Sequence, residues 1–256
     1  MNLRSPWLAF YAVLAYAFLH LPLVILAVFS FNKSRFTTWG GFSLEWYQQA
    51  LADRALLESA GNSLLIALAA TVFATAAGTL CAYALWKKSM PWLTNSLYLT
   101  LVTPEIVTGV ALLAFYQWVF RFLHLPLGMH TVILAHVAFC LAYVVIVVMA
   151  RLRTMDASLE EAALDLGANE LQAFTRVTLP LLAPGIASAA MLAFTISFDD
   201  FVITSMVAGV DSETLPMVIY AIARRGVSPL LNAVSTLIVV GLGLLIFLSE
   251  RLQPER

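Results

Sequence analysis

Apolar residues run along this chain in long blocks, and the positions free of charge mark those blocks off. Between Arg4 and Lys33 lie 28 residues without Asp, Glu, Lys or Arg, and comparable gaps cover residues 59–86, 122–150 and 226–249. A helix crossing a hydrocarbon layer about 30 Å thick needs ~20 mostly apolar residues, so each gap holds one span with a short flank. Two further apolar tracts are interrupted: 97–120 contains Glu105, and 181–207 contains Asp199 and Asp200. The pattern predicts six transmembrane helices near 8–30, 62–85, 97–120, 130–150, 182–207 and 231–249. It makes the chain an all-α integral membrane protein, one transmembrane domain over 1–256.

Composition agrees with this and narrows the classes. Charged residues make up 11% of the 256 and apolar residues 61%, against roughly 25% and 45–50% in soluble domains. A soluble globule could not cover itself with so few polar groups. The net charge of −1 offers no basic field for nucleic acid. The first apolar block is longer than the 7–15 residues of a signal-peptide core, and the spacing predicts a retained anchor helix. Cys81 and Cys140 fall inside the second and fourth spans, where a disulfide is not expected. His136 and Cys140 stand four apart, but two ligands make a poor metal site, and core packing is expected of both. No H-E-x-x-H or G-x-S-x-G pattern occurs, and no metal or catalytic site is expected.

Six spans put both termini on one side. With that side cytoplasmic, Arg4, Lys87, Lys88, Arg151, Arg153, Arg176, Arg251 and Arg256 lie inside, against Lys33, Arg35, Arg54, Arg121, Arg224 and Arg225 outside. The bias has the sign of the positive-inside rule. Residues 31–61 then form an outer loop with some helix, and 151–180 a cytoplasmic one.

The cytoplasmic segment reads as a helix, a glycine and a second helix. Asp156 or Ser158 can cap the first, and Glu160 and Glu161 suit the positive end of its dipole. Leu159, Ala162, Ala163 and Leu166 share a narrow, shallow apolar face, Gly167 ends the helix, and a second helix covers about 169–177. Glu161-Ala162-Ala163, three residues, Gly167, nine residues, then Val177-x-Leu179-Pro180 resembles the EAA loop of ABC importer permeases, with Val in place of Ile. In that family the loop is the coupling helix, which docks on a cytoplasmic ATPase. The resemblance therefore implies that 156–178 touch an ATPase and that this side is cytoplasmic. The chain has no G-x-x-x-x-G-K-[ST] loop of its own, so it is expected to be a non-enzymatic transport subunit. ATP and magnesium would be bound by the partner.

Three acids stand within the spans: Glu105, Asp199 and Asp200. An ionised carboxylate costs at least ~2.5 kcal/mol near mid-bilayer, so such groups face a cavity or a partner. No Lys or Arg lies in any span, which leaves a proton, a cation, a cationic substrate or a partner chain to balance them. Thr103-Pro104-Glu105 has the form of a helix N-terminus, with Thr as cap, and predicts a break in the third span. Asp199 and Asp200, ~100° apart on a helix, cannot both aim at one site. A hydrogen bond to a neighbouring helix is the expected place of the other. Trp46 and Tyr47 could supply aromatic faces for a cation or anchor the interface.

Phe31-Asn32-Lys33-Ser34-Arg35-Phe36, Glu45-Trp46-Tyr47, Thr103-Pro104-Glu105-Ile106-Val107, Ser197-Phe198-Asp199-Asp200-Phe201-Val202 and Gly226-Val227-Ser228-Pro229 together resemble the second permease subunit of bacterial spermidine/putrescine importers, over nearly the whole chain. The resemblance implies a type I importer fold and a polyamine pathway through Trp46, Glu105, Ser197, Asp199 and Asp200. Coupling would run through Glu161, Ala162, Ala163, Gly167, Leu179 and Pro180. It also implies the partners: a second, different permease, two ATPase copies and a periplasmic polyamine-binding protein, in the bacterial inner membrane among lipid. The family usually has Asp where Glu105 stands, and the extra methylene moves that charge ~1 Å. The alternatives are an ABC permease for another solute and a cation channel or proton-coupled carrier working alone.

Overall fold

The computed structural model describes residues 6–35, 38–226 and 228–252. Arg4, Phe36, Val227 and Arg256, used above, lie outside them. Twelve helices are described: α1 (Pro6–Phe29), α2 (Glu45–Ala52), α3 (Arg54–Lys87), α4 (Pro91–Val102), α5 (Glu105–Leu123), α6 (Met129–Leu152), α7 (Ser158–Asp165), α8 (Glu170–Ala173), α9 (Leu179–Asp199), α10 (Val202–Val207), α11 (Leu215–Arg224) and α12 (Pro229–Leu252). A π-helical turn, Phe174–Thr178, joins α8 to α9.

Among the described residues five helices are long and apolar enough to cross a bilayer: Trp7–Phe29, Arg54–Lys87, Glu105–Leu123, Met129–Leu152 and Glu170–Asp199. The sixth expected span, 231–249, falls within α12, whose apolar stretch is described over Pro229–Gly241. The bounds of two spans differ where the acids interrupt the pattern. The expected span 97–120 is divided into α4 and α5, because Pro104 has no N–H to donate and holds Thr103 extended (ψ 129°). The expected span 182–207 is divided into α9 and α10 at Asp200, which is extended as well (ψ 124°). Thr103 is not the cap expected of it. Its hydroxyl donates back to the Leu99 carbonyl at 2.8 Å, and Pro104 takes the N-cap position.

The chain separates into two compact units. The first holds residues 1–57 and 218–256. There α1 and α2 both pack on α12, and α1 leaves most of its apolar side chains exposed. The segment after α1 is tied by a single bridge between Asn32 and Phe42. The Asn32 side chain donates to the Thr38 carbonyl and accepts from the Gly40 amide.

The second unit, residues 58–217, is organised by α6. Val132, Ala135, His136, Phe139, Cys140, Val144, Val145 and Val148 bury it on nearly every side, as expected of a helix apolar all round. Its main partner is α9, while α4 packs on it and α10 lies against both α6 and α5. Lipid tails are as apolar as these side chains, so close packing and interhelical hydrogen bonds hold such a bundle. Gly78 of α3 shows the closeness, since a Cβ there would lie 2.6 Å from Val144 Cγ1.

Candidate functional site: a cavity at two helix breaks and a mortised cytoplasmic joint

Both breaks open on one cavity of about 440 Å³ in the second unit. Its walls come from the end of α4 (Thr100, Thr103), the start of α5 (Glu105, Thr108), α6 (Phe139, Tyr143), the end of α9 (Thr195, Asp199, Asp200) and the start of α10. Irregular backbone is tolerated at membrane depth where it lines a cavity or is buried in protein, and discontinuous helices of this kind mark transport sites. All three acids singled out from the sequence line it, and no Lys or Arg does.

The three carboxylates are placed differently. Glu105 and Asp199 are exposed, and no hydrogen bond or ion pair ties either to a described residue. Asp200 is 6% exposed at its side chain and is consumed by the fold. Its Oδ2 accepts from the Thr204 amide and the Thr204 hydroxyl, both at 2.7 Å, and its Oδ1 lies 3.4 Å from the Ile203 amide. It caps α10. His136 Nε2 lies 2.9 Å from Thr204 Oγ1 and 3.5 Å from Asp200 Oδ2, and its Nδ1 is 2.7 Å from Ser197 Oγ. An ionised Asp200 can only accept. The Thr204 hydroxyl therefore donates to it and accepts from Nε2–H, and Nδ1 shares a second hydrogen bond with the Ser197 hydroxyl. One chain of hydrogen bonds thus links α9, α6 and α10 around the second break. His136 is the buried core residue expected of it, but as the centre of a polar network. Ser197, 3% exposed, belongs to that network and not to the cavity wall.

Trp46 sits in the first unit. It is 6% exposed, and its indole N–H donates to the Asn32 carbonyl at 2.8 Å. The Arg35 guanidinium lies 5.6 Å from its ring centroid, so one face already holds a cation. Tyr47 is hydrogen-bonded to Ser30 at 2.6 Å.

The segment 151–180 forms the elbow expected of it, with changes. Asp156 accepts from the Ser158 amide at 3.0 Å ahead of α7, and Gly167 (φ 90°) follows its C-cap. Asn169 caps α8 by accepting from the Gln172 amide. The second helix is a four-residue α turn that widens into the π turn, not one helix to 177. Leu159, Glu161, Ala162 and Leu166 are exposed, Leu166 to 90%. The apolar face therefore points away from the fold.

Glu160 points the other way, and its role was not read from the sequence. It is 4% exposed. Its Oε1 accepts from the Tyr83 hydroxyl and the Lys87 ammonium, both at 2.6 Å, and its Oε2 from the Thr178 hydroxyl at 2.7 Å. Burial pushes this carboxyl up, but the bonds from Lys87, Tyr83 and Thr178 outweigh it and leave the carboxyl below its ordinary value. The joint is thus intact above the ordinary carboxylate range and is lost only as pH falls through the lowered value. Tyr83 also packs on Phe174 with ring centroids 4.6 Å apart.

Comparison with known proteins adds four findings. The model of the family described as binding-protein-dependent transport system inner membrane component matches residues 74–254. The putrescine transport system permease protein PotI of Escherichia coli (strain K12) is 40% identical over 96% of this chain and 90% of its own length. The spermidine/putrescine transport system permease protein PotC of the same strain is 39% identical over 88% of this chain and 85% of its own. Among solved structures, a chain of a bacterial ABC transporter that imports the acidic polysaccharide alginate superposes with a TM-score of 0.70. It covers 98% of this chain and 99% of that one at 16% identity, a likeness of fold alone.

Proposed function

The chain belongs to the family of binding-protein-dependent transport system inner membrane components, and from that premise we infer that it is one permease of an ATP-driven importer of linear polyamines, putrescine or spermidine. The observation that carries the cargo is the pair Glu105 and Asp199. These two carboxylates have no side-chain partner among the described residues and face one cavity that no Lys or Arg lines. An anion or a neutral solute would leave both charges uncompensated. A chain bearing two or more ammonium groups meets them in turn, with Thr100, Thr103, Thr108, Thr195 and Tyr143 as hydroxyl acceptors and Phe139 as an aromatic wall. The relatives named for putrescine and spermidine transport support the same cargo.

In this reading the residues divide by task. Glu105 and Asp199 take the ammonium groups, while Ser197 and Asp200 hold the break that presents them. Trp46 joins the pathway by resemblance, with its ring braced in the loop that follows α1. Neither acid is deeply buried, which suits weak, sequential contacts, because a tight site would trap its cargo.

The exposed face of α7, with Glu161, Ala162, Ala163 and Gly167, followed by Leu179 and Pro180 at the start of α9, would seat the cytoplasmic ATPase. Two copies of that subunit would bind ATP and magnesium. A second, different permease would complete the pathway, and a periplasmic polyamine-binding protein would deliver cargo at the opposite side. The complex with binding protein recorded for an alginate transporter of the same fold is consistent with that kind of partner. Both termini would be cytoplasmic, in the bacterial inner membrane, and α1 with its exposed apolar side chains would face lipid or the second permease. Nucleotide binding would draw the coupling helices together and open the pathway outward. Hydrolysis would return it inward.

Purification through a tag on this chain, after mild solubilisation, tests the assembly. An ATPase and a second permease are expected to come with it. Cells that lack other polyamine importers should take up labelled putrescine or spermidine only when the set is expressed together. Recovery of the chain alone, with uptake that needs no ATPase, would favour a stand-alone carrier.

A further inference from the structure

We propose that Glu160 is the positioning residue that transmits movement of the coupling helix into the cavity, by locking α7 to the end of α3 and to the start of α9 in one joint. The proposal rests on the reading of α7 as the ATPase contact. Three features of the joint carry it. Glu160 accepts three side-chain hydrogen bonds, all within 2.7 Å, from two other segments. It is buried although it directly precedes the exposed Glu161, so α7 offers one face outward and fastens the other. Thr178 immediately precedes α9, whose last residue is Asp199.

Mechanics follow from that last point. The 21 residues of α9 span about 30 Å at helical rise, with the joint at one end and the cavity at the other. A force applied to the exposed face of α7 reaches Thr178 through one carboxylate, and α9, unbroken from Leu179 to Asp199, carries it onward. Tyr83 and Lys87 set the opposing abutment on α3, and the ring of Tyr83 on Phe174 stiffens the same corner. If α7 were fixed only by backbone at Asp156 and Gly167, it could tilt under load without moving α9. The ion pair with Lys87 makes the lock charge-assisted.

The test uses the complete transporter in liposomes, with binding protein and labelled putrescine, and reads molecules accumulated per ATP hydrolysed. Glu160→Gln should assemble with the ATPase in wild-type proportion, yet lower that ratio at least about fivefold, because the charge-assisted bond is lost. Tyr83→Phe and Thr178→Val, which each remove one donor and little volume, should lower it by about twofold. Combining Glu160→Lys with Lys87→Glu should recover part of the ratio lost by Glu160→Lys alone. A purely structural Glu160 would reduce the amount of complex or its thermal midpoint and leave the ratio unchanged. That result, or unaltered ratios in all three single variants, would overturn the proposal. Absence of any ATPase from the wild-type preparation would instead remove the reading of α7, which separates the two failures.

Discussion

Asp199→Asn is expected to lower polyamine uptake by roughly 10–100-fold, the equivalent of about 1.5–3 kcal/mol for one charge-assisted contact, while leaving the protein folded and assembled. Asp199 is exposed at the end of α9 and is held by no described residue, so its amide isostere disturbs no protein hydrogen bond. What it loses is attraction for an ammonium group in a cavity where no Lys or Arg offsets the negative charge. Glu105→Gln removes the second free carboxylate and should act in the same direction. The loss belongs in the concentration dependence of uptake, since the same number of transporters would meet a cargo they hold less well. Immunoblotting of the membrane fraction beside uptake at several putrescine concentrations checks both halves. A variant with wild-type uptake at subsaturating putrescine would show that Asp199 does not meet the cargo.

The neighbouring acid should fail by another route. Asp200→Ala takes away the cap of α10, which is worth about 0.5–2 kcal/mol. It also strands the Thr204 amide and hydroxyl at a buried site, at about 1–3 kcal/mol more. The sum of about 1.5–5 kcal/mol would fall on folding of the second unit. Loss of uptake in this variant should therefore track loss of protein, with a lowered thermal unfolding midpoint in detergent. Asp200→Asn keeps one acceptor oxygen and should be milder. His136→Leu, which removes the link between Ser197 and Thr204, should resemble Asp200→Ala in stability and not Asp199→Asn. Equal thermal midpoints for Asp200→Ala and the wild type, with uptake abolished, would place Asp200 among the cargo ligands instead.

The contrast between these two aspartates shows where sequence reading reaches and where it stops. The apolar blocks, Pro104 and the acids mark the spans and the break in the third, because each depends on neighbours a few residues away, whereas no local pattern announces the break at Asp200. That one of two adjacent acids would serve a neighbouring helix follows from the helical angle alone. Which one does so depends on where α9 ends. That end is set by Thr204, four residues on, and by His136, which is more than sixty residues away in sequence. The coupling segment repeats the lesson. Gly167 and the motif around Glu161 mark a helix–glycine elbow from local pattern, whereas Glu160 reads as a second acid in a first turn. Its meaning lies in Tyr83, 77 residues away along the chain, and no local pattern announces such a partner. The breaks shift the bounds of the third and fifth spans, yet Glu105–Leu123 and Glu170–Asp199 each keep crossing length.

The balance of charge takes on its meaning in the same way. Three acids without a basic partner within the spans call for some cation. One of them is answered by a helix cap and a histidine network, and two are left, on the proposed reading, for cargo. That reduction sharpens the chemistry, because two carboxylates facing one cavity are the least that a diamine requires.

Accumulation of labelled putrescine by liposomes holding the complete complex tests this most directly, comparing the wild-type chain with Glu105→Gln/Asp199→Asn. Wild-type liposomes should concentrate the label only with ATP on the ATPase side and binding protein on the other, and the double variant should fall to background. Accumulation without ATP, or at the wild-type rate in the double variant, would contradict an ATP-driven pathway built on those two carboxylates.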